Sequence, residues 1–126
     1  MDVKPHILFV DDEAPIRELL ALYFRKRGYE VTTAVCSADA LKLVGEGTFQ
    51  LAVLDVDIAG ENGLELLTAL KAKNARLPVI MFTGLRTDED LLAKSLALGA
   101  DGFMRKTDSL HNLLGEVQRF VPAPSS

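Results

Sequence analysis

Short apolar runs alternate with amphipathic stretches along this chain. Five runs read as strands: "HILFV" (6–10), "EVTTAV" (30–35), "QLAVL" (50–54), "PVIMF" (78–82) and "DGFMR" (101–105). The segments between them carry helical spacing. In the first, Ile16, Leu19, Leu20 and Tyr23 form a stripe, and Pro15 suits a first helical turn. Arg25, Lys26 and Arg27 followed by Gly28 predict its end, with cations near the last carbonyls and a left-handed cap. Ser37 is expected to cap a second helix with Ala40, Leu41 and Val44 inward. Asn62 caps a third with Leu66, Leu67 and Leu70 inward. Thr87 and Asp90 have the spacing of a capping box for a fourth helix, closed by Gly99. Asp108 opens a fifth, with Leu110, Leu113, Leu114, Val117 and Val121 on one side.

Strands alternating with helices imply parallel pairing through right-handed crossovers. Nearly continuous apolar strands imply that both sheet faces are covered. The expected fold is an α/β, doubly wound (βα)5 sandwich on a five-stranded parallel sheet. The domain is expected to span residues 1–121. Residues 122–126, within "VPAPSS", read as a tail or linker stub.

Composition narrows the function classes. The 126 residues suit one domain; 48% are hydrophobic and 25% charged, as in an ordinary globule. A formal net charge of −4 argues against nucleic-acid binding by this domain. The single cysteine, Cys36, excludes an internal disulfide and fits a reducing compartment. No apolar run reaches the ~18 residues of a membrane span, and "MDVKPH" lacks a signal-peptide core. The expected location is cytoplasmic.

In parallel sheets, ligands bind beyond the carboxyl ends of the strands, near the point where strand order reverses. Asp11, Asp12 and Glu13 follow the first strand, and Asp55 and then Asp57 the third. Thr83-Gly84 follow the fourth and Lys106 the fifth. Carboxylates, a hydroxyl and an ammonium should therefore converge. Two unit charges ~4 Å apart repel by about 4 kcal/mol at an effective dielectric near 20. A hard divalent cation such as Mg²⁺, together with Lys106, would relieve this. Asp55 could then act as a nucleophile toward phosphorus, with Thr83 hydrogen-bonding a phosphoryl oxygen.

These residues resemble the receiver domain of bacterial response regulators, of the CheY-like superfamily with its flavodoxin-like fold. The likeness rests on "DD" after the first strand and on "LDVDIAGENG", an Asp with a Gly eight residues later. "MFTG" and "GADGFMRK" complete it. The resemblance implies a two-component or phosphorelay signalling domain rather than an enzyme in its own right. It implies that Asp55 is phosphorylated by a histidine kinase, a histidine phosphotransfer protein or a small phosphodonor. It implies Mg²⁺ held by Asp12, Asp55 and the backbone carbonyl of Asp57, with Asp11 acting through water. Lys106 would bind the phosphoryl group. Thr83 and Phe103 would form a switch pair that reports to an effector through the fourth helix, fifth strand and fifth helix. Asp57 and Leu85, two residues beyond Asp55 and Thr83, would flank the path of hydrolytic water.

Three positions depart from the family pattern. Ala59 stands where proline is usual, Phe103 where tyrosine is common, and Thr107 where a proline, typically with a cis bond, follows the lysine. Each candidate also has a plainer role. Asp11 could cap the first helix and Glu13 favour its dipole. Asp55 could open a loop, Thr83 a turn. Lys106 could be solvated and Phe103 core. His6 and His111 read as a strand-start and a helix-surface residue, and Cys36 as packing. No G-x-G-x-x-G follows the first strand, so dinucleotide binding has little support. Two other functions remain open. "DVDIAG" resembles the D-x-D motif of haloacid-dehalogenase-type phosphohydrolases, although there the metal-binding acidic pair comes last. The other is a receiver-like interaction module that is not phosphorylated.

Overall fold

The computed structural model describes residues 4–84 and 89–122. A five-stranded parallel sheet runs in the order β2 (Glu30–Ala34), β1 (His6–Val10), β3 (Leu51–Leu54), β6 (Val79–Thr83), β7 (Gly102–Arg105). A two-stranded antiparallel hairpin, β4 (Asp57–Ile58) and β5 (Glu61–Asn62), follows β3. The helices are α1 (Ala14–Lys26), α2 (Ser37–Glu46), α3 (Gly63–Lys73), α4 (Glu89–Ala97) and α5 (Leu110–Phe120).

Period-two alternation divides the strands between two cores. Ile7, Phe9, Leu51, Val53, Ile80 and Phe82 face α1 and α5, meeting Leu20, Phe24, Leu113 and Val117. Leu8, Val10, Ala52, Leu54, Val79 and Met81 face α2, α3 and α4, meeting Ala40, Leu66, Leu67, Leu70 and Leu91. The sheet is thus wound on both faces, as the apolar runs predict. Strand order reverses between β1 and β3, so their carboxyl ends open onto the switch point.

Several local expectations are corrected. Thr83 is the last residue of β6, fully buried, rather than a loop residue after it. Leu19 is 47% exposed; Phe24 and Ala21 fill the inward face of α1 instead. Residues 20 and 24 continue the stripe from Ile16 at four-residue spacing, which Leu19 interrupts. Cys36, not Ser37, is the N-cap of α2 and makes no side-chain cap bond. The Ser37 N–H instead donates to Glu61 of the hairpin at 2.9 Å. Ser109, not Asp108, caps α5, accepting from Asn112 N–H; the Asp108 carboxylate turns back to accept from Arg105 N–H. The Asn62 cap of α3 and the Gly28 and Gly99 left-handed positions are as expected. Leu85 and Thr87 lie outside the described residues. Among the described residues no helix is long and apolar enough to cross a membrane.

The hairpin is the feature the sequence pattern did not announce. Ile58 pairs with Glu61, and the two residues between them, Ala59 (φ 52) and Gly60 (φ 84), are both left-handed. That is the backbone of a type I′ turn. Proline, locked near φ −65°, is closed to this conformation, so Ala59 builds a different loop from one carrying the family's usual residue. The Lys106–Thr107 bond is trans, like every peptide bond among the described residues.

Candidate functional site

The parallel ladder brings the expected residues to one edge. Asp11 continues β1, its N–H donating to Ala34 O at 3.1 Å; Asp55 continues β3, donating to Val10 O at 3.1 Å. Lys106 continues β7, donating to Thr83 O at 2.8 Å. Each chemical group therefore sits one residue past a strand end, with its main chain still held in the sheet.

Lys106 is the centre of the cluster. Its Nζ lies 2.7 Å from Asp55 Oδ2 and 2.7 Å from Asp11 Oδ2, with Glu13 Oε2 at 3.9 Å. Asp11 and Asp55 are buried, and Glu13 is exposed. Burial pushes the Lys106 pKa down, but hydrogen bonds and charge from Asp11 and Asp55 outweigh it, and the net shift is upward. The ammonium is thus held charged between two carboxylates that would otherwise repel one another.

The carboxylates beside Lys106 also form a cluster of their own. Asp11, Asp12 and Asp55 each offer an oxygen within 4.8 Å of the others. An all-oxygen carboxylate set with an exposed member suits a hard divalent cation that keeps several waters. The other Asp11 oxygen, Oδ1, accepts from Glu13 N–H at 2.9 Å. Asp11 therefore orders the loop before α1 as well as pairing with Lys106, but it does not cap the helix: the N-cap is Glu13, two residues on, and it makes no side-chain cap bond.

Asp55 is fixed from its C-terminal side by two features. Asp57 N–H points at Asp55 Oδ1 at 3.3 Å, and Asp57 Oδ1 accepts from Gly60 N–H at 3.3 Å. Gly63, eight residues after Asp55, packs directly beneath it. A Cβ there would lie 2.0 Å from Asp55 O and 2.9 Å from Val56 Cα, while Gly63 N–H bonds Val56 O. The Asp-to-Gly spacing in the sequence is thus a steric requirement of the Asp55 loop. The Asp57 side chain is exposed, and the ion pairs of Lys106 among the described residues are with Asp11, Glu13 and Asp55.

Thr83 and Phe103 share a sheet face. Met81 is opposite Phe103 and Thr83 opposite Arg105, so Phe103 and Thr83 are diagonal neighbours on the α3/α4 side. Phe103 is half-buried on the edge strand. His6 opens β1, its ring against Phe49 and its Nε2 2.6 Å from Thr32 Oγ1; His111 is exposed on α5. Neither histidine joins the site. Arg17 was not anticipated: from α1 its Nη1 donates to Asp11 O at 2.9 Å. An arginine in a helical stripe carries no sequence signal for such a role.

Residues 7–118 match the family model described as the response regulator receiver domain. The transcriptional regulatory protein YkoG of Bacillus subtilis is 33% identical over 115 residues, 91% of this chain and 50% of that protein. The chain spans about half the length of such curated relatives. Among solved structures, chemotaxis protein CheY4 of Vibrio cholerae superposes with a TM-score of 0.88 at 27% identity, covering 94% of this chain and 100% of that one. Response regulator TrrA of Thermotoga maritima, solved in complex with Mg²⁺-BeF, gives 0.83 at 32% identity, covering 93% and 99%. The phosphohydrolase reading of "DVDIAG" is thereby set aside: the acidic pair precedes the loop, and the receiver family model covers residues 7–118 rather than one motif. This chain belongs to the response regulator receiver domain family, the signalling domain of two-component systems.

Proposed function

We propose that this domain is a phosphorylation switch in which Asp55 accepts a phosphoryl group from a histidine kinase, a histidine phosphotransfer protein or a small phosphodonor. One observation carries the reading: Lys106 Nζ bridges Asp55 and Asp11 at 2.7 Å each, beside a third carboxylate, Asp12. A candidate nucleophile, a cation and a cluster of three carboxylates meet at the switch point of the sheet.

Asp12 and Asp55 would hold Mg²⁺ through their carboxylates and Asp57 through its backbone carbonyl, with Asp11 acting through water. TrrA, a similar protein, was solved with Mg²⁺-BeF, which supports that ion here. When bound, Mg²⁺ supplies charge neutralisation for phosphoryl oxygens. The rest is the work of this chain's side chains. An Asp55 oxygen attacks phosphorus as the bond to the donor breaks, and the donor leaves with its electron pair. Lys106, already charged and within hydrogen-bond reach of Asp55, pairs with the incoming phosphoryl oxygens. Thr83 stands at the end of β6 to donate its hydroxyl to one of them. Slow hydrolysis of the acyl phosphate resets the domain. Catalysis in this sense is limited to its own modification.

The added group carries about −1.5 to −2 charge. Thr83 and Phe103, diagonal on one face, are the pair through which this charge would reach the surface of α4, β7 and α5. The partner there is an effector protein or effector domain.

Acetyl phosphate with Mg²⁺ should add the mass of one phosphoryl group to the wild-type protein and to Asp57→Asn, but none to Asp55→Asn. Omission of Mg²⁺ should suppress labelling. An unmodified wild-type protein under these conditions would favour the unphosphorylated interaction module.

A further inference from the structure

We infer that Arg17 is a positioning residue of the acidic site, holding the main chain that aims Asp11 and Asp12. This rests on the reading of Asp11, Asp12 and Asp55 as a cation site. β1 ends at Val10, and Asp11 N–H is the last donor of the loop to bond a strand neighbour, Ala34 O. The Asp11 carbonyl has already left the ladder. Its partner is the guanidinium of Arg17, six residues on, with Nη1 at 2.9 Å. Arg17 N–H also bonds Glu13 O at 3.1 Å, so one residue ties the loop through both its side chain and its main chain.

The loop has few other restraints. The N-cap of α1, Glu13, makes no side-chain cap bond. The Asp12 carboxylate is exposed and has no hydrogen-bond partner among the described residues, so its direction is set by the main chain on either side. Arg17 is the one side chain from outside the loop that bonds this main chain among the described residues. Outer-shell groups of this kind typically change metal affinity about 10- to 100-fold when removed. Arginine suits the task because its planar fork reaches a fixed acceptor with little further ordering, whereas lysine is a flexible point charge.

Arg17 acts on a cation in two opposed ways. Its positive charge repels the ion, and its hydrogen bond preorganises the ligands. Substitution separates them. Arg17→Gln removes the charge and the long-reach bond; Arg17→Lys keeps the charge and loses the fork. Amide chemical shifts of Asp12, Glu13 and Asp55 would be followed during Mg²⁺ titration at fixed pH and ionic strength. Positioning predicts Mg²⁺ affinity about ten-fold weaker in both variants. Tighter binding in Arg17→Gln with no change in Arg17→Lys would make Arg17 a mere surface charge and overturn the role alone. A wild-type protein with no saturable Mg²⁺ response would overturn the cation reading and this role with it.

Discussion

Lys106 shows how one residue can both stabilise the folded chain and restrain its chemistry. Its ammonium bridges Asp11 and Asp55, both buried. Removing one partner of a buried ion pair costs about 3–5 kcal/mol, because the other charge is left uncompensated. Yet the same ammonium competes with a metal ion for the carboxylates. Lys106→Met should therefore melt well below wild type without Mg²⁺, and Mg²⁺ should raise its melting temperature by more than it raises that of wild type. Equal or smaller stabilisation by Mg²⁺ in Lys106→Met would mean the ammonium and the ion do not share these oxygens. The convergence of these residues was largely legible in the sequence. Asp11, Asp12, Asp55 and Lys106 each follow an apolar run, and a parallel sheet places strand ends together whatever the details of packing. Thr83 was legible as a hydroxyl near the site but not as a buried strand residue, because an apolar run does not reveal where its last ladder bond falls. The bond from Arg17 to Asp11 O had no signal at all.

At the scale of elements, the β4–β5 hairpin is where sequence reasoning stopped short. Ala59 and Gly60 must both be left-handed, and alanine gives no hint of that; Asn-Gly would have. The hairpin ties Asp55 to its surroundings: Asp57 reaches back to Asp55, Glu61 takes the first N–H of α2, and Asn62 caps α3. Ala59 is exposed, so a larger side chain meets no core. Ala59→Asn should relieve left-handed strain and stabilise the domain by about 0.5–1 kcal/mol. Urea unfolding would show a higher midpoint at unchanged slope; an unchanged or lower midpoint would argue that the turn is not strained. The misplaced caps have a similar origin. Asp108 and Ser109 are both good N-cap residues in adjacent positions, and only the return of Asp108 to Arg105 N–H decides between them.

Across the whole molecule, two cores clamp one sheet, and chemistry at its edge must pass through that packing to reach a surface. The α1/α5 side is closed by Tyr29, whose buried hydroxyl donates to Val121 O at 2.7 Å, joining residues 92 apart in sequence. The α3/α4 side holds Thr83 and Phe103, with Phe103 half-buried at the edge. A signal from Asp55 is expected on this second side. A two-position side-chain pair of this kind can carry about 1–3 kcal/mol of coupling between phosphorylation and partner binding. Thr83→Ala should still accept a phosphoryl group, while chemical-shift changes on α4 and α5 shrink markedly. Full wild-type changes in that variant would assign the signal to another route. The doubly wound architecture itself was legible, since continuous apolar runs separated by amphipathic stretches admit few other arrangements.

The central claim is that Asp55, and no other carboxylate of the cluster, bears the phosphoryl group. The most direct measurement is site mapping. The protein is treated with acetyl phosphate and Mg²⁺, the acyl phosphate is trapped by borohydride reduction to homoserine, and the digest is sequenced by mass spectrometry. Homoserine at position 55, dependent on Mg²⁺, is the predicted result. Homoserine at Asp11, Asp12 or Asp57, with Asp55 intact, would contradict it.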